Sequence, residues 1–364
     1  MKKSLVMFCL VTVVISTFGF KAIMVTDAGG LGDRSFNDGT WEGIQMAIRE
    51  LDGVEGDVFV SKEQTDYLQN LTKAAEQADV VIGVGFLMSD VLFNVAAQYP
   101  DTYFIGIDIE PSPGQSVPPN LALYTFKEEE GGFLLGYIAA SMTKTNTVGF
   151  IGGLEVPPVK RYEIGYRTGI KAYNQIKNAS VECITGYVGS FTDASKTKQI
   201  ALSQYERGAD IIFTGVTTGA VIDAAKEKGT SFYGLNNNAP LNNIIDAYFE
   251  KGRGYFVIGY DMDQDYMAPG YVLVSSRKKV DVATFDGIKS AKEDRIFKSG
   301  VQVLGLADDG VGISQMKYTK GLVPNEVLAE LVLLKNIVKS GELTIPKTEA
   351  EFSAVDFSDI EFPF

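Results

Sequence analysis

Residue types suited to holding a small polar ligand are concentrated in one glycine-rich stretch near the start of the chain. The stretch contains two carboxylates, an aromatic ring and an amide, provided by Asp27, Asp33, Phe36 and Asn37. Carboxylates accept hydrogen bonds from hydroxyl, ring N–H and amino groups, and an aromatic face can stack on a planar ring. We therefore predict that Asp27, Phe36 and Asn37 contact a ligand.

Two other roles compete for this stretch. Asp33 or Ser35 would cap the helix that follows, and the glycines would then serve only the turn. A phosphate-binding loop is excluded, because Gly30 and Gly32 lack the third glycine of a dinucleotide fingerprint and no G-K-S/T follows. Asp27 and Asp33 would also repel a phosphate.

The residues around the stretch predict a strand, a turn and a helix. The apolar run Ala22–Val25 precedes it, and apolar residues spaced three and four apart follow it from Trp41 to Leu51. Strands and helices alternate along the rest of the chain, which predicts parallel, doubly wound α/β sheets. Ligands of such sheets lie beyond the carboxyl ends of the strands, where the glycine-rich turn falls.

Four further candidates come at the ends of predicted strands. Asp108 and Asp261 each end an apolar run, and a carboxylate there would either bind ligand or cap the next turn. Phe191 follows the strand that begins at Cys183, and it would either stack on a ring or belong to the core. Thr217 lies in a glycine-threonine turn before a helix and would offer its hydroxyl to a ligand.

The acidic repeat Asp261-x-Asp263-x-Asp265 does not fit a calcium loop. Tyr266 occupies the position that needs glycine, and Val272 occupies the position that needs glutamate. The 364 residues include no histidine, which removes Ser-His triads and most zinc sites. We predict no catalytic residue, no metal site and no cofactor.

The start of the chain and its charge indicate an exported protein. Lys2 and Lys3 precede a short apolar run, so residues 1–19 are interpreted as a signal peptide cut after Gly19, or else as an uncleaved anchor. The net charge of −13, or −15 without the two leader lysines, argues against nucleic acid or anionic membrane surfaces as partners. Only Cys183 remains after the cut, so no internal disulfide is expected.

The glycine-rich stretch also resembles a known signature. Asp27-x-Gly-Gly-x-x-Asp33-x-Ser35-Phe36-Asn37, continued by Trp41-Glu42-Gly43, is similar to that of the basic membrane protein family, the purine-nucleoside-binding lipoproteins of ABC transporters. Further matches follow in order, among them Gly83-x-Gly85-Phe86, Gly165-Tyr166-x-x-Gly169 and Ile258-Gly259-x-Asp261-x-Asp263-Gln264. The resemblance covers nearly all of the mature chain.

The resemblance implies a fold and a division into domains. We expect a periplasmic binding protein of type I, with two doubly wound α/β lobes joined by a hinge around a ligand cleft. The first lobe would hold residues 20–125 and about 262–299, and the second would hold 126–261 and about 300–364. Residues from about 230 to 254 are an insertion relative to the family pattern, and they would form a surface excursion or edge the cleft.

For the base of a nucleoside, the resemblance implies contacts from both lobes. Phe36 and Phe191 would stack on the two faces of the base. Asp27, Asn37 and Asp108 would read its polar edge or the near side of the ribose.

For the ribose, the resemblance implies contacts near the hinge. Asp261 would accept hydrogen bonds from ribose hydroxyls, and Lys278 would donate to a ribose oxygen and neutralise the cleft carboxylates. The implied function is that of a non-enzymatic, monomeric component of an ABC importer. Its lobes would close on the nucleoside, and a permease in the inner membrane would recognise the closed form.

Three alternatives fit the same composition. The cleft would bind riboflavin or a sugar, the protein would signal through a membrane partner, or it would be a carboxylate-dependent nucleoside hydrolase. The hydrolase ranks lowest, because Asp261–Asp265 mimic its calcium pocket poorly.

The chain departs from the family at its start. Cys9 follows bulky apolar residues rather than the small residues of a lipid-attachment motif, so the protein would be periplasmic or at the cell surface without a convincing lipid anchor. Glu128–Glu130 are expected to form the solvated start of a helix.

Overall fold

The computed structural model describes residues 19–236, 238–293 and 297–357. The apolar core of the predicted signal peptide and Cys9 lie outside the described residues. Within these described ranges, no helix has the length and hydropathy needed to cross a bilayer.

Each of two sheets contains six strands. The strands of the first sheet are β1 (Phe20–Val25), β2 (Val54–Phe59), β3 (Val80–Val84), β4 (Tyr103–Ile107), β5 (Leu121–Phe126) and β11 (Gly300–Leu304). The strands of the second are β6 (Thr147–Gly152), β7 (Glu182–Tyr187), β8 (Ile211–Gly215), β9 (Phe256–Gly259), β10 (Val272–Lys278) and β12 (Val311–Ile313). The spatial orders are β11-β5-β4-β3-β1-β2 and β12-β10-β9-β8-β6-β7.

Eleven α-helices are found in the described part of the chain. They are α1 (Phe36–Glu50), α2 (Tyr67–Ala75), α3 (Ser89–Gln98), α4 (Glu128–Met142), α5 (Pro157–Lys177), α6 (Ala194–Glu206), α7 (Thr218–Tyr233), α8 (Leu241–Lys251), α9 (Val280–Lys292), α10 (Asn325–Ser340) and α11 (Glu349–Ala354).

The sheets are parallel because helices return the chain between successive strands. All pairs are parallel except β10 with β12, which is antiparallel. Strands β3, β5 and β8 are buried along their whole length, as expected of apolar runs covered on both faces. The two-lobed, doubly wound α/β architecture predicted from the sequence is confirmed.

The chain passes between the lobes three times: between β5 and α4, between β10 and α9, and between β11 and β12. This route corrects the predicted domain division at two strands. Strand β10 was assigned to the first lobe but pairs with β9, and β11 was assigned to the second lobe but pairs with β5. The sheet to which β10 or β11 belongs is decided by which strand it pairs with. The local apolar pattern identifies a strand but carries no information about its partner.

Helices α4 and α5 are packed backbone against backbone. A Cβ atom at Gly136, Gly165 or Gly169 would overlap the backbone of the facing helix, at the carbonyl oxygens of Tyr166, Glu129 and Phe133 respectively. Glycine is therefore required for this approach. The contact fixes the N-terminal turns of both helices, which border the cleft.

The predicted insertion forms the end of α7, a turn and α8. Ile244 and Tyr248 of α8 are buried, and the Tyr248 ring lies 5.5 Å from that of Phe256. None of the described residues between 230 and 254 lines the cavity described below. The described residues of the insertion therefore pack on the second lobe without contributing to the cavity wall.

Candidate ligand-binding site

A cavity of about 290 Å³ lies between the carboxyl ends of the two sheets. This volume is near the lower end of the range for small-molecule sites, which is roughly 300–1,000 Å³. All eight residues predicted to bind ligand line it. The first lobe contributes Asp27, Phe36, Asn37 and Asp108. The segment from α4 to β10 contributes Phe191, Thr217, Asp261 and Lys278.

The amide of Asn37 organises the first-lobe loop. Its Nδ2 donates to Asp27 Oδ1 at 2.8 Å and to Asp33 Oδ2 at 3.0 Å, and its Oδ1 accepts from the Asp27 backbone N–H at 3.3 Å. The side chain of Asn37 thus uses both types of hydrogen-bonding group inside the loop. Asn37 lines the cavity, and its contacts indicate that it orients Asp27.

Asp33 caps helix α1. Its carboxylate accepts the backbone N–H groups of Ser35, Asn37 and Asp38 at 2.9, 2.8 and 3.1 Å. The Ser35 hydroxyl instead donates to the backbone oxygen of Tyr260 at 3.3 Å and so links the two lobes. The capping role considered for Asp33 or Ser35 therefore falls to Asp33.

Asp27 lines the cavity directly after β1 and is partly buried. Burial raises the pKa of its carboxyl group, and the hydrogen bonds from Asn37 and Gly29 oppose that rise. Gly85 has a φ of +102°, and a Cβ atom there would lie 3.2 Å from Asp27 Cβ. The glycine both permits the turn and leaves room for the carboxylate.

Lys278 lies at the centre of a buried ionic cluster. Its ammonium group bonds to Asp108 Oδ2 and lies 2.8 Å from Glu128 Oε1. Burial alone would lower the pKa of Lys278, but Asp108 and Glu128 raise it above its usual value, so the side chain is charged. Burial raises the pKa of Asp108 even against the lysine.

Glu128 is a site residue that the sequence interpretation missed. Glu128, Glu129 and Glu130 are all buried, so the expected solvated helix start is wrong. Burial would raise the pKa of Glu128, but the Arg161 guanidinium and the Lys278 ammonium hold that pKa below its usual value. A polar triplet at a helix start looks solvated in the sequence, because its cationic partners come from distant segments.

Arg161 joins the same cluster to the rim of the first lobe. Its Nε donates to Glu128 Oε2 at 2.6 Å, and its Nη1 donates to Glu110 Oε1 at 2.8 Å. Glu110 follows Asp108 by two residues, so Lys278 and Arg161 hold the segment after β4 at two points. This arginine could not be recognised as a site residue from the sequence, because its acidic partners come from distant segments.

Asp261 ends β9 on the opposite side of the cluster. Its φ of +62° turns the chain sharply, and its backbone oxygen accepts the Lys278 N–H at 2.8 Å. Its Oδ1 accepts a hydrogen bond from the Tyr162 hydroxyl at 3.0 Å. Burial raises the pKa of Asp261 to about 6, and Lys278 opposes the rise.

The two predicted aromatic residues line the cavity from different lobes. The Lys278 ammonium lies 5.1 Å from the centroid of the Phe36 ring, at a cation–π distance. The Phe191 ring lies against Gly153, where a Cβ atom would overlap it. The Thr217 hydroxyl donates to the Phe191 backbone oxygen at 3.1 Å, so it supports the loop that carries the ring.

The acidic repeat after β9 is a structural turn. Asp265 accepts hydrogen bonds from the hydroxyls of Ser275 and Ser314 at 2.8 and 2.9 Å, and Asp263 accepts the Asp265 N–H at 3.1 Å. Cavity-facing charge therefore comes mainly from Asp27, Asp108 and Asp261, with Lys278 as the cation of the cavity wall. This balance favours neutral ligands rich in hydrogen-bond donors over anions.

Comparisons with known proteins agree on one family. A family model named Bmp and described as "ABC transporter substrate-binding protein PnrA-like" matches residues 20–349. An uncharacterized lipoprotein of Pyrococcus horikoshii is 32% identical, covering 91% of this chain and 77% of that protein. The ABC transporter nucleoside-binding protein BmpA of Lactococcus lactis is 30% identical, covering 90% and 89%.

Solved structures agree with the fold. The crystal structure of a solute-binding protein of an ABC transporter system from Aeropyrum pernix has a TM-score of 0.78 and 26% identity, and it covers 92% of this chain and 96% of that one. The two sheets and their connections are those of a type I periplasmic binding protein, as expected.

Proposed function

Because the chain belongs to the basic membrane protein family of PnrA-like ABC transporter substrate-binding proteins, we propose that its ligand is a nucleoside, and in particular a purine nucleoside. The observation that carries the proposal is the cavity wall itself, where Phe36 and Phe191 from different lobes face a space edged by carboxylates. In this proposal the planar base stacks between the two rings, and base–aromatic stacking contributes roughly 1–3 kcal/mol per base. The name of the Lactococcus lactis relative supports the same ligand class.

The polar groups divide between base and sugar in this proposal. Asp27, held by Asn37, and Asp108 accept hydrogen bonds from base N–H and amino groups. Asp261 accepts from a ribose hydroxyl, and Lys278 donates to a ribose oxygen. The ligand then supplies donors to carboxylate oxygens such as Asp108 Oδ1, which is buried and unpaired among the residues that the structure describes.

The protein would act by closing its lobes on the ligand outside the cytoplasm. The ordered segments that pass between the lobes supply the hinge, and the closed form is presented to a permease. Binding alone performs this task, so no bond is made or broken. We propose that it acts as a monomer and that an N-terminal leader directs its export.

The proposal is tested by thermal shift and calorimetry on the leader-free protein. The panel contains guanosine, inosine, adenosine, cytidine, ribose and riboflavin. A ligand that binds only the native state raises the melting temperature, and the gain grows with concentration. We expect purine nucleosides to give the largest shifts.

Two variants test the site. Phe36→Ala and Phe191→Ala should each weaken purine-nucleoside binding about 5- to 150-fold, the range that corresponds to roughly 1–3 kcal/mol of stacking. The control is Phe249→Ala, since this ring is 62% exposed and outside the cavity. A response to riboflavin or ribose alone would overturn the nucleoside assignment, and release of free base from inosine would show a hydrolase.

A further inference from the structure

Tyr162 has a contact that the proposed function does not use. It lies in the first turns of α5, lines the cavity, and is buried with Ser276 and Asp261. The Tyr162 hydroxyl oxygen lies 3.0 Å from Asp261 Oδ1 and 2.9 Å from the Ser276 hydroxyl oxygen. The three side chains form a hydrogen-bonded chain that ends on a cavity carboxylate.

The chemistry of these groups fixes the direction of the hydrogen bonds. An ionised carboxylate only accepts, so Tyr162 donates its single proton to Asp261, and the Tyr162 oxygen accepts from Ser276. The pKa of Asp261, about 6, leaves this carboxyl group ionised at pH 7.5. Ser276 thus holds the tyrosine in the donor orientation.

The second oxygen of Asp261 is free for a ligand. Among the described residues none donates a hydrogen bond to Oδ2, whereas Oδ1 accepts the tyrosine hydroxyl. The Lys278 N–H bond fixes the backbone of Asp261, and the hydrogen bond from Tyr162 to Oδ1 opposes rotation of the carboxyl group. A carboxylate with two free oxygens can hold two neighbouring hydroxyls, but in Asp261 the oxygen Oδ1 already accepts the Tyr162 hydroxyl, which competes with a ligand hydroxyl there.

We propose that Tyr162 determines sugar specificity by occupying one oxygen of Asp261, so that this carboxylate recognises only one of the two ribose hydroxyls. The inference rests on the proposed function. If Asp261 recognises only one ribose hydroxyl, loss of the other hydroxyl costs little. A nucleoside that lacks this second hydroxyl then binds nearly as well as the ribonucleoside. Tyr162 is therefore the residue that admits one class of deoxynucleoside.

The test is a calorimetric comparison at pH 7.5 of guanosine and adenosine with their 2′-deoxy and 3′-deoxy forms. In the wild-type protein, one deoxy form should bind within about threefold of its parent, and the other should lose about tenfold or more, because hydrogen bonds to charged groups contribute about 1.5–3 kcal/mol. Tyr162→Phe frees the second oxygen. In that variant the previously tolerated deoxy form should fall about tenfold below its parent.

A matched control is Tyr137→Phe. The Tyr137 hydroxyl donates to the buried carboxylate of Glu330 at 2.8 Å, away from the cavity, so its loss should leave every affinity ratio unchanged. The double variant Tyr162→Phe with Ser276→Ala removes the unpaired serine hydroxyl. The double variant should show the same ratios of deoxynucleoside to ribonucleoside affinity as Tyr162→Phe. It replaces the single variant in the test if Tyr162→Phe is unstable.

Four outcomes would overturn the assignment. Two concern the wild-type protein: both deoxy forms lose more than tenfold in affinity, or both bind about as tightly as the parent nucleoside. The other two concern Tyr162→Phe and the double variant: the affinity ratios between deoxy form and parent stay as in wild type, or all ligands lose affinity equally. Wild-type protein that binds no nucleoside would overturn the proposed function itself, and the Tyr162 assignment with it. The first four results leave nucleoside binding standing, so the two failures are distinguishable.

Discussion

Neighbouring carboxylates on one helix turn have opposite electrostatic environments. Glu128 is paired with Arg161 and Lys278, and its pKa lies below the usual value. Glu129 is equally buried, yet its Oε2 has no hydrogen-bond partner among the described residues. Burial, and then the charge of Glu128, raise the pKa of Glu129 to about 7. Glu129 is therefore a destabilising charge in the folded protein at neutral pH.

This environment predicts how stability depends on pH. A pKa that is higher in the folded state means that the folded protein holds the extra proton between about pH 4.5 and 7, so the free energy of unfolding falls as pH rises through that window. Glu129→Gln removes the titration. Between pH 5 and pH 8, the variant should lose less stability than wild type, by up to about 3 kcal/mol in urea unfolding.

The control for this prediction is Glu50→Gln, at the exposed end of α1. Its dependence on pH should match wild type. If Glu129→Gln kept the wild-type slope, the titrating group would have to be another carboxyl, such as that of Asp108 or Asp261.

The sequence revealed the site residues that end strands. Asp108 and Asp261 follow apolar runs, and the carboxyl ends of parallel strands meet at one edge, so their convergence followed from the pattern. Arg161 and Tyr162 escaped because they lie in the first turns of a helix and not at the end of a strand. Their partners come from distant segments, and no periodicity in the chain encodes those contacts.

At the scale of elements, the α4–α5 pair is the rigid base of the cleft. Helix α4 begins with Glu128, and α5 carries Arg161 and Tyr162 in its first two turns. Close backbone contact at three glycines fixes the distance between these side chains. A small separation of the helices would therefore pull the ionic cluster apart.

Gly136→Ala tests this packing. The added methyl group would overlap the Tyr166 carbonyl oxygen, and overpacking of this kind costs about 1–3 kcal/mol or more. We expect urea unfolding to show that loss, together with weaker ligand binding. Gly219→Ala is the matched control, because its Cβ would meet nothing within 4 Å on α7 and alanine is the better helix former by about 1 kcal/mol. Equal stability of Gly136→Ala and wild type would contradict the role given to the contact.

The order of elements was predictable, but the assignment of two strands to sheets was not. Alternating apolar runs and amphipathic segments identified strands and helices along both lobes. Strands β10 and β11 exchange the lobes expected from chain order, since each pairs with a strand that local pattern does not specify. Position along the chain placed the first crossing, between β5 and α4, but not the two later ones.

At the scale of the whole molecule, ion pairs span the cleft. Asp108 and Glu110 belong to the first lobe, whereas Lys278 and Arg161 come from the second sheet and α5. The pair of Arg161 with Glu110 lies at the rim, where Glu110 is 32% exposed. Opening of the lobes would break this rim contact and release the ligand.

Glu110→Gln should therefore speed ligand release. A partly exposed ion pair contributes about 0.2–1 kcal/mol, so the dissociation rate of the tightest nucleoside should rise about 1.5- to 5-fold in stopped-flow measurements, with little change in association rate. Glu42→Gln is the control, because Glu42 pairs with Arg49 inside the first lobe at 2.8 Å. Equal dissociation rates in Glu110→Gln and wild type would show that the rim pair does not hold the lobes together.

The route of the chain also sets the order in which the lobes can be finished. Strand β11 completes the first sheet beside β5, yet the chain is synthesised through most of the second lobe before residues 300–304 appear. Until then β5 is an open edge, able to pair with other chains. The first sheet is thus completed only after five of the six strands of the second have been made, and a truncation before residue 300 would damage the lobe whose synthesis begins first.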